Sequence, residues 1–206
     1  MKITITDYCR ISPHREVITR NMLFRCVPKP ADVNQVLSDM YNYFHIDYRK
    51  FFKMDTLSKV GFLATELLLE DLNKEQPKED MGIILFNHSS SLASDAAYQQ
   101  TINDKNNYFP SPAVFVYTLP NIVTGEIAIR HKIHGETAFY ITSQFQPALI
   151  EETGKAAFAG TGLKCLLTGW IEVANDEIDV CMMRCEVGGK RKMTFHARNI
   201  EKLYHI

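Results

Sequence analysis

The stretch that decides the fold is YTLPNIVTGEIAIRHKIHGETAFYITSQF, residues 117–145. Its first part predicts a helix over residues 118–132, in which an interior glycine, Gly125, costs about 1 kcal/mol relative to alanine. We therefore expect another backbone to approach Gly125 closely. Its second part predicts a strand over residues 135–143 that ends in a turn before the next helix. This order is the geometry of a nucleophile elbow, but the turn carries Gln144 where such a site needs cysteine or serine.

The segments on either side alternate between strand and helix patterns. Period-two alternation predicts a strand at residues 1–8, and continuous apolar runs predict strands at 81–86 and 177–187. Apolar residues at helical spacing predict the remaining helices, which are 29–44, 54–72 with Asp55 or Thr56 as cap, a helix after Ser91, 147–159, 162–173 and 199–204. A hairpin is expected where residues 186–198 turn at Gly188-Gly189. The order predicts an α/β fold with a mixed, mostly parallel sheet and helices on both faces, in one domain over residues 1–206.

The composition narrows the classes of partner. The chain has 206 residues, of which 46% are hydrophobic, and its 23 basic residues balance 24 acidic ones. Nucleic acid and anionic membranes bind through a surplus of Lys and Arg, so neither is expected as a partner. The first 17 residues contain no apolar run that would serve as a signal peptide or anchor, which predicts a cytoplasmic protein.

Cysteine and histidine positions favour structural roles over metal binding. The five cysteines are odd in number and irregularly spaced, which is typical of reduced thiols. Cys181 and Cys185 form a loose C-x-x-x-C that fits one buried face of a strand better than a metal site. His131 and His134 could share a helical face, but no third ligand has matching spacing, and we expect both at the surface near a helix end. With no phosphate-loop motif either, we expect neither metal nor cofactor.

A polar loop, NHSSSL at residues 87–92, follows the strand 81–86 directly. Open α/β sheets place their ligand-binding loops at this position, so its N–H groups and hydroxyls could hold an anion or an acyl carbonyl. The simpler alternative is a polar loop in which Ser91 caps the next helix.

These motifs together resemble the N-terminal half of β-ketoacyl-acyl-carrier-protein synthases of the thiolase-like superfamily. Pro120-Asn121 and Gly125 match the Pro-Asn-x-x-x-Gly of that family, and IAIRHKIHG matches its Ile-Ala-Ile-x-x-Gly-x-x-Gly. Residues 51–71, 81–91 and 169–183 resemble further family segments, and Thr142-Ser143-Gln144 falls on the family's Thr-Ala-Cys. The resemblance spans most of residues 50–184 and implies a thiolase-like half-fold.

Two departures from the family pattern affect the expected activity. Gln144 replaces the acyl-accepting cysteine, and an amide cannot form the covalent intermediate. The two histidines that the family's second half supplies have no counterpart in this sequence. Cys165 is an alternative as a displaced nucleophile, although a buried apolar role fits it better. The resemblance implies no catalytic residue here.

Three hypotheses follow from the resemblance. In the first, the chain is a non-condensing partner, similar to chain-length-factor subunits of polyketide, fatty-acid or aryl-polyene-type pathways, that forms a homodimer or a heterodimer with a full-length synthase. Family dimers pair through the strand before the nucleophile, so the expected interface residues are Thr137, Phe139, Ile141 and Gly125. In the second, a partner chain completes a condensing or decarboxylating site. In the third, the chain binds an acyl group or acyl carrier protein through Ser89, Ser90, Asn121, Thr142 and Gln144.

Overall fold

The computed structural model of the protein describes residues 1–12, 16–19, 23–25, 33–106, 108–189 and 193–206. The strands are β1 (Ile3–Ile11), β2 (Glu16–Thr19), β3 (Leu23–Arg25), β4 (Met81–Asn87), β5 (Thr137–Ile141), β6 (Cys165–Ala174) and β7 (Glu177–Val187). The helices are α1 (Val33–Tyr43), α2 (Thr56–Leu68), α3 (Leu92–Gln100), α4 (Pro112–Phe115), α5 (Ile122–His131), α6 (Pro147–Thr161) and α7 (Ala197–Tyr204), with short 3₁₀ turns at Arg49–Lys53 and Val116–Thr118. The strands form one sheet in the order β3-β2-β1-β7-β6-β4-β5.

Helices cover both faces of this sheet. One apolar cluster packs α1, α2 and α5 against it, and a second packs α6 and α7 against the opposite face. A register shift between Ile5 and Asp7 lets β1 contribute to both clusters, because a bulge turns Ile3 to one face and Ile11 to the other. The α/β class with helices on both faces is confirmed.

The expected majority of parallel strands is wrong. Only β4 pairs in parallel, with β5 and with β6, whereas the other four strand pairs are antiparallel. For β6 and β7 the reason is the two-residue turn between them, in which Asn175 and Asp176 have φ of 52° and 61°. Such a turn reverses the chain at once and leaves no room for the crossover that a parallel pair requires.

The helix expected at residues 162–173 is instead the strand β6. Its largest apolar residues, Leu166, Leu167, Trp170 and Ile171, follow helical spacing, but they divide between the two clusters on opposite faces of the sheet. A strand buried on both faces loses its alternation, so its periodicity does not distinguish it from a helix.

The hairpin expected at Gly188-Gly189 is also wrong. Gly188 does have the positive φ of a turn, 68°, but the chain beyond it reaches β1, where Thr194 bridges Thr4. The basic tip at residues 190–192 lies outside the described residues, as do Cys26 and Pro30. Cys181 and Cys185 do share one buried face, as predicted.

Helix α2 begins with the predicted cap, since the Asp55 carboxylate accepts the N–H of Ser58 at 2.9 Å. Its glycine, Gly61, is where two helices approach closely: a Cβ built there would lie 2.5 Å from Val123 Cγ2 of α5. The expectation that Gly125 makes such an approach is wrong within this chain, because a Cβ at Gly125 would meet no described atom within 4 Å.

The two glycines therefore predict opposite outcomes on substitution by alanine. Gly61→Ala should lower the free energy of unfolding by about 1–3 kcal/mol, because the new methyl group overpacks the α2–α5 contact. Gly125→Ala should raise it by about 0.5–1 kcal/mol, since alanine is favoured in an open helical position. Urea denaturation of both variants tests the pair, and equal shifts of the same sign would contradict it.

Surface composition is the last feature of the fold. In the described parts of the chain, no single helix is long and apolar enough to cross a bilayer, and only the bent pair Pro112–Thr118 and Ile122–His131 reaches that length and composition together. Exposed large apolar side chains occur on β5 and between residues 108 and 119, including Tyr140, Ile141 and Phe115.

Candidate functional site

The parallel strands β5, β4 and β6 end at the same edge of the sheet, where the loops after β4 and β5 meet. Asn87, the fully buried last residue of β4, joins these loops. Its side chain donates to the Ser90 carbonyl at 2.8 Å and accepts the Ser90 N–H at 3.1 Å, and its own carbonyl accepts the Thr142 N–H at 2.8 Å. The structure thus brings the predicted Ser89-Ser90 pair next to Thr142.

The N–H groups of the loop after β4 do hold an anion, and that anion belongs to the protein. Glu172 of β6 accepts the His88 N–H at 2.6 Å and the Ser89 N–H at 3.2 Å on the same oxygen, Oε2. The other oxygen, Oε1, is buried and has no hydrogen-bond partner among the described residues. The N–H groups that were predicted to bind a ligand are therefore occupied by the Glu172 carboxylate of the same chain.

His88 contacts the loop after β5. Its Nδ1 lies 3.1 Å from the Thr142 carbonyl, and because a carbonyl oxygen only accepts, this nitrogen must carry the proton for the contact to be a hydrogen bond. Neither His88 nor Glu172 was a candidate from the sequence. Glu172 fell inside a segment expected to be helical, and 84 positions separate it from His88.

The turn after β5 keeps the strand, turn and helix order of the predicted elbow. Gln144 is exposed there, and its carbonyl accepts the Thr142 hydroxyl at 2.9 Å. In the described chain, Gln144 is not among the residues with positive φ, whereas Ser90 of the neighbouring loop is, at 52°. The strained backbone that exposes a nucleophile in such elbows is thus absent at Gln144.

The segment before α5 contacts this region through Ser91. That residue precedes α3 as expected, but its hydroxyl does not cap the helix and donates to the Thr118 carbonyl at 2.5 Å. Asn121 is exposed at the N-terminus of α5, and its carbonyl accepts the Thr124 hydroxyl at 2.7 Å. The hydrogen bond from Ser91 to Thr118 therefore connects the loop after β4 to the segment that ends at Asn121.

The described thiols are unsuited to nucleophilic chemistry. Burial raises the pKa of Cys165 and of Cys181 to about 12, and it raises the pKa values of Cys9 and Cys185 as well. Cys165, which was expected within a helix, begins β6 opposite Met81, the first residue of β4. It therefore lies at the other end of the parallel strands from Gln144, and a role as displaced nucleophile is excluded by position.

Among the strands that the structure describes, β5 forms one edge of the sheet and pairs only with β4. At its two ends, the Ile83 N–H donates to the Glu136 carbonyl at 2.9 Å, and the Thr142 N–H donates to the Asn87 carbonyl at 2.8 Å. Because backbone groups alternate in direction along a strand, the even-numbered residues face β4. The odd-numbered ones, which are the predicted interface residues Thr137, Phe139 and Ile141, turn their N–H and carbonyl groups to the free edge.

The side chains of β5 add apolar surface to this edge. Ile141 is 56% exposed and Tyr140 is 44% exposed, the latter stacked on Phe86 with ring centroids 5.2 Å apart. Phe139 packs against the cluster under α5. The strand therefore combines a firm attachment to the core with unpaired backbone groups and exposed apolar side chains, which is typical of an edge that another chain extends.

The helix α5 places its histidine in a buried charge cluster. His131 is 1% exposed, and its Nε2 lies 3.2 Å from Glu66 Oε1, so its expected surface position is wrong, whereas His134 is exposed beside Glu79. Glu66, itself buried, also pairs with Arg130 at 2.9 Å and Lys74 at 2.5 Å. Throughout the described residues, no group of three or more His, Cys, Asp or Glu side chains could hold a metal ion.

Burial and charge set the ionisation of this cluster. Burial opposes ionisation of Glu66, but hydrogen bonds from His131, Arg130 and Lys74 outweigh it and hold the pKa of the carboxyl well below its usual range. Burial lowers the pKa of His131, and the neighbouring cations add to this effect. At neutral pH the cluster therefore contains an ionised Glu66 and a neutral His131.

The fold is shared with solved ketosynthases. No family model and no curated protein matches the sequence. The ishigamide ketosynthase/chain length factor is similar over 94% of this chain and 64% of its own, with 14% identity and a TM-score of 0.62. The type II acyl-carrier protein complex AntDE:AntF, with its ketosynthase bound to a hexaketide, contains a chain similar over 91% of this one and 62% of its own, with 13% identity and a TM-score of 0.60.

A third structure matches over nearly its whole length. It is one chain of the ketosynthase ApeO in complex with its chain length factor ApeC from Xenorhabdus doucetiae, with 12% identity and a TM-score of 0.59. The match covers all of this chain and 91% of that one, whereas this chain spans less than two thirds of the other two. The resemblance to β-ketoacyl synthases and the thiolase-like α/β fold are confirmed, at identities that establish the fold alone.

Proposed function

We propose that the chain is a ketosynthase-like subunit without condensing activity of its own, and that it works by pairing with an active β-ketoacyl synthase in polyketide, fatty-acid or aryl-polyene-type biosynthesis. The observation that carries this proposal is the free edge of β5, whose unpaired backbone groups lead directly to a turn that holds Gln144. An edge of this kind favours a partner, and an amide at the turn does not favour acyl transfer.

The solved structures support a role as partner. Those with the same fold include a ketosynthase with its chain length factor, in which a chain of nearly the same extent is matched over 91% of its length. A chain of this size thus has a fold that occurs within a two-component synthase.

The proposal gives the edge strand β5 and the loops beside it different roles. Thr137, Phe139 and Ile141 extend the partner's sheet, and Gly125 leaves room on α5 for the partner's backbone. The residues proposed to face an acyl chain or the acyl carrier protein are Ser89, Ser90, Asn121, Thr142 and Gln144. Glu172 limits that contact to side chains and carbonyls, because it already occupies the N–H groups of His88 and Ser89.

Light scattering with an activity assay tests the proposal. We expect the chain to form a dimer, either with itself or with a full-length β-ketoacyl synthase from the same organism, and the purified chain alone to leave malonyl-carrier protein unchanged. A monomer both alone and in that mixture would contradict the pairing. Turnover by the purified chain alone would contradict the absence of catalysis.

A further inference from the structure

An aromatic side chain connects the turn that carries Gln144 to α7. Between β5 and α6, the Thr142 hydroxyl contact with the Gln144 carbonyl is the hydrogen bond that the described residues provide inside the turn. Phe145, the next residue, stacks on Tyr204 with ring centroids 4.0 Å apart and planes 14° from parallel. It also meets Trp170 edge-on at 5.9 Å. The position of the turn therefore depends on what holds Tyr204.

Tyr204 is the last residue of α7 and is fixed by a charged pair from two strands. Arg10 of β1 donates from Nε to the Tyr204 carbonyl at 2.7 Å, and its guanidinium lies 4.7 Å from the centre of the Tyr204 ring. Asp179 of β7 pairs with Arg10 at 2.6 Å and accepts the Tyr204 hydroxyl. The contacts form a continuous path from the central strands through α7 to the turn.

The helix that completes this path has few other attachments. Of its eight residues only Ile200 and Leu203 are buried, and its first N–H, on Ala197, donates to Glu151 of α6 at 2.6 Å. A helix of eight residues with two buried apolar side chains belongs to the elements that open locally at low cost. Opening of α7 would withdraw the Tyr204 ring from Phe145.

We propose that α7 is a clasp for the turn at residues 143–146, with Tyr204 as its positioning residue: when the helix is docked, Gln144 has a fixed place, and when it opens, the turn becomes mobile. This inference concerns contacts within one chain and does not rest on the proposed function. By this proposal, the docking of α7 controls the mobility of the turn at residues 143–146, which follows the edge strand β5.

Two substitutions of Tyr204 separate stacking from hydrogen bonding. In Tyr204→Ala, we expect the backbone order parameters of Gln144 and Phe145, from ¹⁵N relaxation, to fall from about 0.85 to below about 0.6. Trp170, the only tryptophan, should become about twofold more accessible to acrylamide quenching. Tyr204→Phe retains the ring and should keep both readings near those of the wild type. Unchanged order parameters in Tyr204→Ala would overturn the proposal.

Two further variants test whether the helix acts as a unit. Leu203→Ala retains the Tyr204 ring but weakens docking of α7, so relaxation dispersion should rise together in α7 and in the turn. Val36→Ala is the control, because it creates a cavity under α1 on the other face of the sheet. It should leave relaxation dispersion in the turn unchanged. Dispersion confined to α7 in Leu203→Ala, or equal loosening of the turn in Val36→Ala, would overturn the clasp.

Discussion

Replacing Ile141 by proline is expected to weaken association with the partner about 100-fold or more while leaving the chain folded. The N–H of Ile141 faces the free edge of β5, so proline removes a donor that a paired strand would use and leaves its acceptor buried without a bond. Proline is tolerated on an edge whose N–H faces solvent, and the Ile141 side chain is 56% exposed. Analytical ultracentrifugation, or titration with the partner ketosynthase, measures the loss.

The matched control for this variant is Ile141→Val. Valine retains the N–H group and most of the apolar surface, so it should change the dissociation constant about threefold at most. Circular dichroism and the melting temperature should show that both variants fold. Association of the proline variant with wild-type affinity would place the interface elsewhere on the surface.

Removing the charge of Glu66 is expected to destabilise the fold strongly. Glu66→Gln leaves Arg130 and Lys74 without their shared carboxylate, and loss of one member of a buried ion pair costs about 3–5 kcal/mol. For a chain of this length, that lowers the melting temperature by about 10 °C. Glu70→Gln is the control: this exposed carboxylate lies just beyond the end of α2, and its loss should cost at most about 0.5 kcal/mol. Equal shifts for both variants would contradict the role of the cluster.

The same cluster predicts how stability depends on pH. Glu66 and His131 both have folded-state pKa values below their ordinary ones, so the unfolded chain binds more protons and acid favours unfolding. The stabilisation is complete above the unfolded pKa values and is lost as the pH falls, first below 6.5 through His131 and then below 4.5 through Glu66. Urea midpoints from pH 8 to pH 3 measure this, and His131→Gln should remove the first decline. An increase in stability as the pH is lowered from 7 to 5 would contradict this prediction.

Local patterns were sufficient for much of the fold. The alternation in β1, the Asp55 cap of α2 and the strand β5 before its turn depend on neighbouring residues, and the sequence predicts each of them. The place of Thr137, Phe139 and Ile141 at the edge of the sheet also agrees with the resemblance, because dimers of that family pair through the corresponding strand.

The errors arose where distant contacts decide the outcome. The helical spacing in β6 concealed a strand buried on both faces, and this error also concealed the turn at Asn175 and Asp176 that makes β6 and β7 antiparallel. The sequence predicts a close approach at Gly125, but the close approach between α2 and α5 is at Gly61. The sequence does not show which faces of the two helices are in contact. The burial of His131 likewise depends on Glu66, 65 positions earlier, which no local pattern reveals.

The carboxylate of Glu172 has a consequence for any attempt to engineer activity into this chain. A cysteine at position 144 would supply a thiol that is exposed to solvent. The N–H groups of His88 and Ser89, which could otherwise stabilise a developing oxyanion, would still be occupied by the Glu172 carboxylate. Single-site reversion at position 144 would therefore restore a nucleophile without freeing these two N–H groups.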